Sequence, residues 1–286
     1  MIQLINKDYE RRYIEYIKKS DIILDEGLKN SFISLLKERN IEDRLELWKN
    51  FKVSVNSISQ LPKLANPFFM GFGNPESDLL FIGKEKAFNT YNNPELFFHE
   101  SINNTLQWEL INSGSNFIDE IFDPRNPRKY HNFKIKANHT WGKYAKIVDL
   151  KNDLKQDFLS IPEKSQPTFF DYCFLTEINH LPSKYSVGEG LVDVRKELLK
   201  NPFYKKFKNI VIGAKGYLSN EQIEEIFNVT RDPKPKLLGK KGKNLTLEIN
   251  ATIFRNENQQ VIYCSQLSGS TGWTNEAIRV LAGMLK

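Results

Sequence analysis

Three polar segments, each directly behind an apolar run, hold the residue types from which an active site can be built. Gly83-Lys84-Glu85-Lys86 follows Asp78 to Ile82, Glu177-Ile178-Asn179-His180 follows TFFDYCFLT, and Ser265-Gln266-Leu267-Ser268-Gly269-Ser270 follows a run ending at Cys264. A carboxylate such as Glu85 can stabilise a developing cation and orient or deprotonate an attacking water. Its neighbours Lys84 and Lys86 favour the anionic form. An amide such as Asn179 or Gln266 both donates and accepts hydrogen bonds, whereas the Glu177 carboxylate only accepts.

The elements that must position these residues are short strands. A run of four or five bulky apolar residues between turn signals predicts a strand buried on both faces, as in a parallel sheet covered by helices. Ligands in such sheets sit beyond the carboxyl ends of the strands, which is where all three segments fall. Asp78 to Ile82, Thr168 to Thr176, Asn209 to Gly213 and Gln259 to Cys264 are the predicted core strands, the last reached through a hairpin from Leu245 to Arg255. Between them the sequence predicts helices over Trp141 to Leu150, Leu191 to Leu199 and Leu218 to Phe227, the last capped by Ser219. A further helix is expected to start at a Ser101 cap, with Ile102, Leu106, Leu110 and Ile111 as its apolar face and Gly114 as its stop. Residues 117–140 read as a long irregular excursion. Lys234, Lys236, Lys240, Lys241 and Lys243 crowd what reads as a loop.

Residues 1–60 differ in character. Tyr9, Tyr13, Tyr16 and Ile17, then Phe32, Leu35 and Leu36, then Leu45, Leu47, Trp48 and Phe51 recur at helical spacing among charged residues. The expected architecture is a three-layer α/β/α sandwich with a central, mostly parallel sheet over residues 61–286, preceded by a helical extension over residues 1–60.

Composition narrows the class. Hydrophobic residues make up 40% of the 286-residue chain, and aromatic ones 12%, which argues for a folded globule over disorder. A formal net charge of +6 is compatible with a polyanionic partner. Cys173 and Cys264 are the only cysteines, both in apolar runs, too few for a four-thiolate iron-sulfur cluster and suited to buried thiols in a reducing compartment. The amino terminus is too charged for a signal peptide, and no apolar run reaches membrane-spanning length, so a cytoplasmic protein is expected. His99, His131, His139 and His180 show no metal-ligand spacing, and Gly213-Ala214-Lys215-Gly216 lacks the other residues of a nucleotide-triphosphate loop.

On these motifs the chain resembles the uracil-DNA glycosylase superfamily. The Gly and Pro rich lead-in from Asn66, the strand, and Gly83-Lys84-Glu85 resemble that family's first motif, where in the GQDPYH branch the acid also comes two residues after the glycine. The resemblance covers roughly residues 66–286. It implies Glu85 as the catalytic acid residue, Phe97 or Phe98 as the aromatic shelf under a flipped base, and Glu177 or Asn179 as the base reader. Gln266 stands where the family places a histidine and would assist the departing base. Lys84, Lys86, Lys240, Lys241, Ser268 and Ser270 would contact DNA.

The function implied is a monofunctional DNA glycosylase, monomeric, needing no metal or cofactor, with DNA as its partner and no membrane association. Because Glu177 and Gln266 depart from the uracil readers, a modified or non-uracil base is the expected substrate. A non-catalytic nucleic-acid-binding relative and a hydrolase of small nucleotides or nucleosides are the alternatives.

Overall fold

The apolar runs become the middle of a sheet. In the computed structural model of the chain, residues 8–23, 25–55, 58–84, 94–115, 122–127, 134–163, 165–182, 192–241, 246–268 and 271–285 are described. In chain order the helices are α1 (Tyr9–Lys19), α2 (Glu26–Lys37), α3 (Ile41–Ser54), α4 (Pro94–Phe97), α5 (Asn104–Asn112), α6 (Thr140–Asn152), α7 (Val192–Leu199), α8 (Pro202–Lys205), α9 (Asn220–Phe227) and α10 (Asn275–Met284). The strands are β1 (Phe72–Gly73), β2 (Leu79–Gly83), β3 (Phe174–Glu177), β4 (Asn209–Ile212), β5 (Thr230–Arg231), β6 (Lys236–Lys241), β7 (Leu247–Arg255) and β8 (Gln260–Tyr263). The fold is therefore mixed α/β with a mostly parallel central sheet and an amino-terminal helical region, the sandwich class that the alternation of elements predicts. The chain divides into two compact units, one of residues 1–71, 85–124 and 179–198, the other of residues 72–84, 125–178 and 199–286.

In the first unit, α1 buries Tyr9, Tyr13 and Ile17, α2 buries Phe32, Leu35 and Leu36, and α3 buries Trp48 and Phe51. Asp25 caps α2 by accepting from the Leu28 amide, and Asn40 caps α3 by accepting from Glu42 and Asp43. Each cap satisfies amides that the first helical turn leaves without an intrahelical partner. Leu47, predicted for the apolar stripe, is exposed; the buried positions of α3 run Ile41, Arg44, Trp48 and Phe51. Arg44 belongs inside because its guanidinium meets the Glu10 carboxylate at 2.6 Å. Ser101 is not a helix cap: it lies in a π-helical turn, Phe98–Ile102, and its hydroxyl accepts from the Asn66 amide at 3.2 Å. The helix beyond, α5, ends at Asn112, and two residues later Gly114 turns the chain with a φ of +70°, the left-handed conformation that glycine adopts without penalty.

In the second unit, β3, β2, β4 and β8 run parallel, in that order across the sheet, with β7 antiparallel beside β8 and β1 antiparallel beside β3. Every residue of β4 and β8, and Leu79–Ile82 of β2, is buried, as strands covered on both faces must be. The predicted strand Thr168 to Thr176 is shortened. Phe169–Tyr172 forms a 3₁₀ turn, because the Thr168 hydroxyl and the Asp171 carboxylate satisfy each other's backbone amides in a capping box. The hairpin into β8 is as expected, with Asn256 Oδ1 accepting from the amides of Asn258 and Gln259 at 2.9 and 2.8 Å.

The lysine-rich loop is corrected more fully. Lys236–Lys241 is a strand, β6, paired antiparallel with β7. Its Gly239 lies against α10, where a Cβ would stand 3.2 Å from the Ala277 Cβ.

Candidate functional site

The parallel register brings four strand ends level in the second unit. Gly83 pairs with Glu177, Ile82 with Ile212, and Ile212 with Tyr263. Ladder bonds continue one residue further, from Ile178 to the Gly83 carbonyl at 3.0 Å, Gly213 to Ile82 at 2.9 Å, and Cys264 to Ile212 at 3.0 Å. With neighbouring strands about 4.8 Å apart, the row Glu177, Gly83, Gly213, Cys264 spans roughly 14 Å. Taken in sequence order, the four strands lie 2-1-3-4, so the chain reverses its direction of travel across the sheet between β2 and β4. A crevice at that reversal is where open α/β sheets bind ligands. Both strand ends flanking it, Gly83 and Gly213, lack side chains.

Glu177 borders this floor. A Cβ on Gly83 would lie 3.5 Å from its Cγ and 3.9 Å from its Oε1, and 3.5 Å from the Tyr144 hydroxyl. Tyr144 stacks on Phe81 of β2 with ring centroids 4.2 Å apart. Burial first, and the Glu177 charge second, push its phenol well above the usual range, so it stays protonated and able to donate. Sequence reading places Tyr144 only in the apolar stripe of its helix. Its hydroxyl position depends on where α6 crosses the sheet.

The two loops at the reversal meet each other. The Lys84 ammonium stands 5.6 Å from the centre of the Tyr217 ring, within cation–π range. Gly216, at φ +101°, makes the turn, and the Tyr263 hydroxyl fixes it by accepting from the Gly216 amide at 3.1 Å and donating to the Leu218 carbonyl at 2.7 Å.

Beyond β8, the last loop is folded around the Gln266 carbonyl, which accepts from Thr271 Oγ1 at 2.7 Å and Trp273 Nε1 at 3.1 Å. Leu267 is buried against Gly213, whose Cβ, if present, would lie 3.0 Å from Leu267 Cδ1 and 3.7 Å from the Gln266 Cα. Among the described residues no group hydrogen-bonds the Gln266 carboxamide. Lys241 proves to be a support of this loop: its ammonium donates to the Thr271 carbonyl at 2.6 Å and its methylenes cover Gly272. Lys234, Lys236 and Lys240 are exposed, and Ser268 is half-buried.

Asn179, Phe97 and Phe98 belong to the first unit. Asn179 is buried; its Oδ1 accepts from the Leu181 amide at 3.1 Å, and its Nδ2 has no hydrogen-bond partner among the described residues. Phe97 and Phe98 are fully enclosed, with ring centroids 6.0 and 5.9 Å from Trp48. As found, they are core residues, and neither presents a free ring face on which a base could stack. Glu85, Lys86 and Ser270 lie outside the described residues.

Among the described residues no three His, Cys, Asp or Glu side chains gather as a metal site requires, and no helix is long and apolar enough to cross a membrane. Comparison with protein-family models, with curated proteins and with solved structures finds no match to the chain.

Proposed function

We propose that the protein is a monofunctional DNA glycosylase that flips a nucleotide from DNA and hydrolyses its N-glycosidic bond. The observation that carries this reading is the level row of parallel strand ends around a two-glycine floor. Glu177 borders one side, the Gln266 amide on the other has no hydrogen-bond partner among the described residues, and Lys84 leads directly into Glu85.

In the reaction, the bond from the sugar C1′ to the base nitrogen breaks, and its electron pair leaves with the base. The sugar becomes an oxocarbenium-like cation, which the Glu85 carboxylate stabilises while it orients a water and accepts its proton. The water oxygen then bonds to C1′. On the other side, the Gln266 amide donates a hydrogen bond to the base as it gains negative charge. Glu177, which can only accept, favours a base that presents an exocyclic amine, so a modified or non-uracil base is the proposed substrate. Exposed Lys236 and Lys240 on β6 supply positive charge for the DNA backbone.

The test is mass spectrometry of bases released from DNAs carrying a panel of normal, deaminated and modified bases. Base release by the wild type, with a loss of at least ~100-fold in Glu85→Gln, is the expected result. No release from any member of the panel, or equal release by the variant, would overturn the reading.

A further inference from the structure

A second feature of the β-sheet unit lies on its helices, at Lys143. Only 4% of this lysine is exposed. Its ammonium donates to the Asn138 carbonyl at 2.6 Å, and among the described residues no carboxylate forms an ion pair with it. A protonated lysine has three N–H donors, so two remain. Burying an ammonium without a counter-charge is costly, and folded proteins ordinarily pair such groups. Burial lowers the pKa of this one.

Lys143 lines a cleft of about 480 Å³ between α6, the segment 156–159 and the start of α10. That volume falls in the range of small-molecule sites. Phe158 and Trp273 give the cleft aromatic walls. Gly142 allows the segment carrying Asn138 to lie directly on α6, because any side chain there would run into the Lys136 carbonyl and Ala137.

The charges lining the cleft are unequal in availability. Asp149 Oδ1 already accepts from the Gln156 amide at 3.0 Å, and Asp157 accepts from the Leu159 amide at 3.0 Å and from the Ser160 hydroxyl. Lys146, at the rim, reaches Asn275 Oδ1 at 2.8 Å. Both carboxylates are thus held by the wall itself, and among the described residues neither forms an ion pair with Lys143.

We propose that this cleft is a binding site for a small phosphorylated ligand with a flat ring, of the nucleoside monophosphate class. Its phosphate meets Lys143, its ring lies against Trp273 and Phe158, and the side-chain carboxamide of Gln156 reaches its edge.

The experiment is calorimetric titration of the full chain with AMP, GMP, CMP and UMP, with the four nucleosides, with inorganic phosphate, and with an oligonucleotide lacking terminal phosphate. At least one monophosphate binds, and its nucleoside and inorganic phosphate each bind at least ~10-fold more weakly, as two-part recognition requires. Lys143→Met keeps the bulk and removes the uncompensated charge, so it stays folded in urea titration yet weakens binding by at least ~10-fold. Lys146→Glu, at a part-exposed position that does not endanger folding, weakens it in the same direction. Binding of no monophosphate at millimolar concentration, unchanged affinity in Lys143→Met or in Lys146→Glu, or equal affinity for nucleoside, phosphate or oligonucleotide would each overturn the proposal.

Discussion

Replacing Gly83 by alanine separates the proposed site from the fold that carries it. Gly83 ends β2 outside the left-handed region, and an added Cβ would meet Glu177 Cγ and the Tyr144 hydroxyl at 3.5 Å and Glu177 Oε1 at 3.9 Å. These are ordinary van der Waals distances, so nothing has to move. Alanine also restricts the unfolded chain, and the net change in stability is expected to stay within about 1 kcal/mol. The methyl group nonetheless stands on the floor beside Glu177 and Tyr144, where it displaces a bound base by the order of 1 Å. A misplacement of that size costs about 100-fold in rate.

Gly213→Ala, at the other glycine of the floor, is the contrasting substitution. Its Cβ would come within 3.0 Å of Leu267 Cδ1 in a buried pocket, so Leu267 must shift, at a cost of about 1 to 3 kcal/mol. Urea unfolding and single-turnover base release, measured on both variants, should show a rate loss without a stability loss in Gly83→Ala and a stability loss in Gly213→Ala. Wild-type base release by a stably folded Gly83→Ala protein would refute the placement of the site at these strand ends.

Other perturbations read different parts of the molecule. Glu177→Gln should relax discrimination against uracil by about 5- to 150-fold, since a misplaced acceptor costs on the order of 1 to 3 kcal/mol, and matched oligonucleotides with uracil and cytosine-type bases measure it. Neutralising exposed Lys236 and Lys240 should reduce the slope of log affinity against log salt by up to roughly 2; an unchanged slope would leave β6 away from the DNA. Lys241→Met should act otherwise, lowering base release through the loosened Thr271 loop while leaving the salt slope nearly unchanged. Burial pushes the Cys264 thiol up to about 12. It therefore keeps its proton in the folded state above the pH at which the unfolded thiol ionises, so its contribution to stability is full below about pH 9 and is lost as pH rises toward 12. In the native protein Cys264 should resist alkylation at pH 8, where its thiolate fraction is on the order of 10⁻⁴, and react on unfolding; rapid native-state labelling would contradict this burial.

The sequence alone determined the strands that are apolar throughout. Leu79 to Ile82, Ile210 to Ile212 and Val261 to Cys264 have no polar face to show to water, so burial on both sides is their only stable arrangement. Local chemistry was equally legible where it is self-contained, as in the Ser219 cap and the Asn256 turn. Where local and distant forces compete, only the tertiary structure decided. Phe169–Tyr172 has strand-like composition, yet Thr168 and Asp171 close a turn there, while the lysines at 236–241 read as a solvated loop until β7 pairs with them. Arg44 carries a charge that a helical stripe excludes, and only the nearness of Glu10 makes its burial tolerable. For the candidate site, the sequence supplied Lys84, Glu177 and Gln266 as polar residues after strands. Their arrangement on one floor depends on the 2-1-3-4 order and on a register between strands roughly a hundred residues apart in sequence, from Gly83 to Glu177. Such pairing leaves no local trace, because each strand is compatible with any neighbour until helices and loops fix which strand lies beside it.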